Sequence, residues 1–191
     1  MYKMTKEEIL CWICGEKADS REHRIKRSDI KLILGEASQS KPIYVHDDKK
    51  RNRKVQSTNA KILKGEKDLC ARCNNELTQP YDKAWERLSS YLKNNWGSIE
   101  NKGSFRMSKV FPDGARLGML GVHLFFAKIL GCAIREGNAS IDVSQLSDGI
   151  RLYTSVPNFW IAIGSTPGAE LDTVGRTDLA VATKKQMITL V

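Results

Sequence analysis

The sequence predicts an α+β fold in two parts: a small cysteine-closed domain over residues 1–96 and an α+β lobe over residues 97–191. Three observations predict it. Two C-x-x-C pairs, Cys11/Cys14 and Cys70/Cys73, stand 55 residues apart (15–69), so the chain leaves one knuckle, makes an excursion and returns to the other. An apolar stripe, Tyr81, Ala84, Trp85, Leu88, Tyr91 and Leu92, recurs at helical spacing directly after the second pair. Beyond residue 103, one long apolar stretch alternates with short strand-like runs, the pattern of mixed helix and strand.

The cysteines come first. Four thiolates in two C-x-x-C pairs are the ligand number and type of a closed tetrahedral zinc site, which is structural because no position is left for water or substrate. The alternative, disulfides in a secreted protein, is disfavoured by an N-terminus, Met-Tyr-Lys-Met-Thr-Lys-Glu-Glu, with no apolar signal region. The expectation is therefore a reducing, cytoplasmic compartment. A thioredoxin-type redox role needs one pair beside a βαβ pattern, which is not seen here. Cys132, the fifth cysteine, lies in an apolar run and reads as a small core residue.

Along the chain, Gly15 suits the tight turn after Cys14, residues 22–26 read as a short extended segment, and Ser28 is positioned to cap a helix over 29–34 that Gly35 ends. Residues 42–46 and 54–56 read as the strands of a hairpin. The connecting run holds Lys49, Lys50, Arg51, Arg53 and Lys54, five basic residues in six. Such runs are often plain solvated loops, but beside a zinc knuckle this one is expected to contact phosphate. Pro80 suits the first turn of a helix over 82–95, and 97–103 reads as the domain boundary. Residues 105–111 are expected as a strand, 115–135 and 143–150 as helices, and 158–163, 177–183 and 186–191 as strands. The last run ends without a polar tail, so the lobe is expected to continue past Val191. The apolar segment 117–127 falls short of the roughly 20 residues that span a bilayer and is bracketed by Arg116 and Lys128. It is expected as a core helix with no membrane partner, and His123 on it as a satisfied core histidine.

Charge is uneven. Of the net +9, residues 1–95 carry 21 basic against 14 acidic side chains, and residues 96–191 carry 10 against 8. Even after a zinc–tetrathiolate site subtracts about 2, the cysteine-bearing half would attract a polyanion such as nucleic acid.

The order C-x-x-C, then Glu22-His23, then Leu69-Cys70-Ala71-Arg72-Cys73-Asn74 resembles the HNH endonucleases, and among them the zinc-stapled branch with the ββα-metal fold. The resemblance covers residues 9–95. It implies a metal-dependent endonuclease that hydrolyses phosphodiester bonds, in DNA in preference to RNA. His23 would be the general base, Glu22 and Asn74 the ligands of a catalytic magnesium or manganese ion, and Cys11, Cys14, Cys70 and Cys73 the ligands of zinc. Two departures stand out: Asn74 takes a place where many members have histidine, and the family's middle asparagine has only candidates, Asn59 and then Asn52. Asp82 is either an added carboxylate near the ion or an ordinary acidic residue in a first helical turn. Glu22-His23 also admits a reading as a surface pair among Arg21, Arg24 and Lys26. On that reading the chain is a non-catalytic zinc-stabilised module for nucleic-acid binding or assembly.

Overall fold

The computed structural model describes residues 8–46, 50–163, 180–182 and 187–189. In chain order the elements are β1 (Ser20–His23), α1 (Arg27–Leu34), β2 (Ile43–Val45), β3 (Arg53–Val55), β4 (Lys64–Leu69), α2 (Gln79–Lys102), α3 (Met107–Val110), α4 (Ala115–Glu136), α5 (Ser144–Leu152), β5 (Ala180–Ala182) and β6 (Met187–Thr189). A mixed helix-and-strand chain follows, as the sequence predicts. Among the described residues the strands form three two-stranded ribbons, β1 with β4, β2 with β3 and β5 with β6.

The chain falls into two compact units interleaved along the sequence. The first takes the chain up to Glu22, Gly65–Ala84 and Arg116–Ile161; the second takes His23–Lys64, Trp85–Ala115 and the chain from Ala162. The expected boundary at 97–103 lies within or just after α2, which runs unbroken through Gly97 to Lys102. One interior glycine costs a helix only about 1 kcal/mol, and 24 residues absorb it. Gly103, in the left-handed region at φ +64°, follows the end of the helix.

In the first unit α4 is the core element. Val122, Leu124, Phe125, Ala127, Ile129, Leu130, Ala133 and Ile134 are all buried along it. By length and composition α4 could cross a membrane, since its span of 22 residues is longer than the apolar segment 117–127 marked in the sequence. Within the molecule, however, 61% of its most apolar window is buried. Gly131 is required by close approach: a Cβ there would lie 2.3 Å from Trp12 Cη2. Tyr81 Oη donates to Ile150 O at 2.7 Å and Ser147 Oγ donates to Ile13 O at 2.7 Å, so α5 is tied both to the start of α2 and to the first knuckle.

The second unit has a small apolar core, Ile30, Val55 and Leu63, with Ile25, Leu34, Ile43, Val45, Ala60 and Ile62 packed round it. β2 and β3 pair antiparallel, Ile43 opposite Val55 and Val45 opposite Arg53, as the hairpin pattern predicts.

Two expected strands are corrected. Residues 107–110 form a helical turn, not a strand; Val110 and Phe111 are buried, and Arg87 stacks over the Phe111 ring. Residues 158–163 are not a strand either, because Asn158 is left-handed at φ +56° and Trp160 points outward, 88% exposed. β5 and β6 fall within the expected strands 177–183 and 186–191, whose other residues lie outside the described part.

Candidate functional site

The four cysteines of the two knuckles converge. One ligand atom from each of Cys11, Cys14, Cys70 and Cys73 lies within 4.8 Å of all the others, and Cys14 Sγ is 3.6 Å from Cys70 Sγ. A tetrahedron with Zn–S bonds of about 2.3 Å has edges of roughly 3.8 Å, so this group can hold a metal such as zinc. The first knuckle is shaped by Gly15 at φ +80°, whose N–H donates to Cys11 O at 2.8 Å, and by Cys11 N–H donating to Glu16 O at 2.7 Å. In the second, Cys73 N–H donates to Cys70 Sγ at 3.3 Å, the kind of bond that steadies a thiolate. Trp12 N–H donates to Asp68 O at 3.2 Å and Asp19 N–H to Leu69 O at 3.0 Å, which joins the knuckles to each other and to the approach to β1.

The thiols are unequal. Burial raises Cys11 above the ordinary thiol range, and burial together with the neighbouring Cys14 and Cys70 drives Cys73 up much further. At Cys14 burial acts in the same sense but is outweighed by the Glu16 backbone and the other cysteines, so this thiol is lowered. Four sulfurs this close ionise together only around a cation, and a dication supplies that charge.

Asn74 follows the last cysteine in a π-helical turn, Cys73–Leu77. Thr78, fully buried, closes that turn by donating its Oγ1 to Cys73 O at 2.9 Å. The turn directs the Asn74 carboxamide to β1, where Nδ2 donates to Ser20 Oγ at 2.9 Å and to Arg21 O at 3.3 Å. Arg21 in turn donates to Gly65 O at 2.8 Å, fixing β1 on β4. β1 thus pairs with β4, and the π-helical turn at the second knuckle leads from β4 into α2.

Glu22 and His23 occupy the last two positions of β1. Glu22 is buried, and its Oε2 lies 2.8 Å from Lys128 Nζ. Lys128, fully buried in the middle of α4, also donates to Asp82 Oδ1 at 2.8 Å. Burial opposes the charge of Lys128, but Glu22 and Asp82 outweigh it and hold its pKa above the usual lysine value. In the sequence Lys128 is only the bracket of an apolar segment, and this triad does not show. The available signal is a lysine on the apolar face of a helix, a residue almost never buried unless paired. Oxygen donors from Glu22 and Asn74 are of the hard type that magnesium and manganese take, although Glu22 already shares its carboxylate with an ammonium.

The remaining candidates are dispersed. Lys50, Arg51 and Lys54 are exposed, Arg53 is half-buried, and Lys49 lies outside the described residues. Asn59 is exposed, with its N–H donating to Ser57 Oγ, while Asn52 is left-handed at φ +55° and donates its N–H to His46 Nδ1. His123 accepts a hydrogen bond on Nε2 from Val156 N–H at 2.9 Å and meets the Phe159 ring edge-on. Cys132 is buried in α4, and burial pushes its thiol well up.

Comparison of the chain with protein-family models, with curated proteins and with solved structures gives no match.

Proposed function

We propose that this chain is a metal-dependent endonuclease of the HNH type, acting on DNA, with a zinc ion on Cys11, Cys14, Cys70 and Cys73 as its structural staple. The observation that carries the reading is the bond from the knuckle residue Asn74 to β1 at Ser20 and Arg21, one step before Glu22-His23. It ties the third residue of the signature to the strand that bears the first two.

On this reading His23 is the general base, taking the proton of the attacking water on an imidazole nitrogen. Glu22 and Asn74 present the oxygens that hold the catalytic ion. When bound, magnesium or manganese supplies charge neutralisation at the phosphoryl oxygens and at the departing 3′-oxygen. The zinc takes no part in the chemistry. The basic residues Lys49, Lys50, Arg51, Arg53 and Lys54 engage the phosphate backbone and supply affinity without reading sequence.

Plasmid nicking with magnesium or manganese, against a chelator control, tests the activity. His23→Ala should retain zinc and DNA binding while the cleavage rate falls by a factor on the order of 10² to 10⁴. Nicking at the parental rate by His23→Ala would overturn the assignment of the base.

A second reading is favoured by one specific observation. Glu22 is buried against Lys128, and a carboxylate neutralised in this way is a poorer metal ligand. On that reading the zinc-stapled fold binds nucleic acid or assembles with partners without cutting, and no nicking is found under any metal condition.

A further inference from the structure

We infer that Lys128 is the resident cation of a buried acidic pair, Glu22 and Asp82, and that it sets how tightly a divalent ion can bind at Glu22. The inference deepens the nuclease reading and rests on it for the identity of the ion, but its geometry stands on its own.

The three groups meet at one nitrogen. Lys128 Nζ lies 2.8 Å from Glu22 Oε2 and 2.8 Å from Asp82 Oδ1, and the lysine is 0% exposed. Its neighbours along α4, Ala127 and Ile129, are buried and apolar, and the Phe125 ring centroid is 5.9 Å from Nζ, so the ammonium has little freedom to leave. The carboxylates come from different elements, Glu22 from β1 and Asp82 from the first turns of α2. One ammonium against two carboxylates leaves the group with one net negative charge if all three ionise. Asp68 also lies close enough to Glu22 for their charges to act on one another, yet a divalent ion arriving at Glu22 still meets the like charge of the ammonium, in surroundings where water screens poorly. The ion and Lys128 therefore compete for Glu22. Lys128 acts as a positioning residue: it keeps Glu22 and the end of β1 in place without metal, at the cost of metal affinity.

The test uses the full chain with its zinc in place and follows free manganese by its paramagnetic resonance signal during titration, a readout independent of cleavage. Lys128→Met removes the charge at similar volume and should bind manganese at least ten-fold more tightly than the parent. Lys128→Arg keeps the charge and should stay within about three-fold of the parent, and E22Q/D82N/K128M should lose the gain. Manganese affinity within two-fold of the parent in folded Lys128→Met would overturn the inference. If Lys128→Met folds only with manganese present, the ion is standing in for the ammonium and the inference holds. If it folds under neither condition, the comparison moves to K128M/D82N against D82N: a ten-fold gain supports the inference and equal affinities overturn it. Nicking by the parent protein separates the two claims. A parent that does not nick, with tight manganese binding in Lys128→Met, removes the nuclease reading and leaves the role of Lys128. A nicking parent with unchanged affinity in Lys128→Met does the reverse.

Discussion

The two units are stabilised by different physics. The first adds to its apolar core groups that are costly to bury: four thiols whose sulfurs lie within 4.8 Å of one another, and an ammonium at 0% exposure between two carboxylates. In the second, the centre is aliphatic, Ile30, Val55 and Leu63, and the polar links lie outside it: Trp85 Nε1 donating to Asp29 at 2.6 Å, Arg27 to Thr58 at 3.1 Å, and Lys26 paired with Glu86 at 3.5 Å. Buried thiolates and charges stabilise only while their partners are present, and breaking a buried pair typically costs about 3–5 kcal/mol. Aliphatic burial carries no such condition. The first unit should thus respond sharply to metal, to single polar substitutions and to pH, and the second only weakly.

The largest break in that contrast comes from the metal. Purified protein should contain about one zinc per chain, and Cys70→Ser or chelation should unfold the first unit, since structural zinc contributes apparent free energies of roughly 10–16 kcal/mol. Hydrogen exchange can compare the units directly: amides of β4 and α4 should lose protection while those of β2 and β3 keep more of theirs. Soluble, folded protein without zinc would remove the basis of the comparison. Next in size is Gly131→Ala, whose Cβ would sit 2.3 Å from Trp12 in the first knuckle. Overpacking of this kind costs about 1–3 kcal/mol, and the loss should appear as a lowered thermal midpoint together with faster zinc release. Gly97→Ala, at an open helical position, should be neutral or slightly stabilising.

How much of this is legible in the sequence follows the same division. Local signals are readable: the cysteine spacing points to the four-sulfur cluster, the alternation at 42–46 and 54–56 to the hairpin, and the helical stripe at 81–92 to α2. Facts of tertiary pairing do not show. Lys128 looks like the charge that closes the apolar segment 117–127, and nothing local shows that it is buried against Glu22 and Asp82. Gly97-Ser98 looks like a linker because propensity weighs single residues, whereas a 24-residue helix averages over them. Trp160 and Ile161 look like strand residues, yet a strand also needs a partner, and the left-handed Asn158 turns the chain out of the extended region.

The basic hairpin should act on binding and not on stability. Neutralising Lys49, Lys50, Arg51 and Arg53 together should leave stability within about 0.5 kcal/mol of the parent, as for surface substitutions generally. DNA affinity should weaken, and the slope of log affinity against log salt should fall by about 0.9 for each phosphate that the loop no longer neutralises. An unchanged slope would show that the run is only a solvated loop.

Within the first unit, a pH dependence centred on His123 should be weaker than the effects of metal removal and of Gly131→Ala. Its Nε2 accepts the Val156 N–H at 2.9 Å, which requires that nitrogen to carry no proton, and burial lowers its pKa below the usual imidazole value. The sign follows from proton counting: below about pH 6.5 an unfolded histidine binds a proton that the folded one resists, so the unfolded state binds more protons and stability falls as pH falls. Above that pH the contribution is fully present. Zinc thiolates lose stability in the same direction, so the informative quantity is the difference between the parent and His123→Asn, both zinc-saturated, unfolded by denaturant at pH 7.5 and 5.5. The parent should lose more on acidification, by about 0.5–1.5 kcal/mol, the net worth of one hydrogen bond. Parallel losses in the two proteins would mean that His123 keeps its bond or titrates alike in both states, and the acid sensitivity of the first unit would then belong to its cysteines and buried carboxylates.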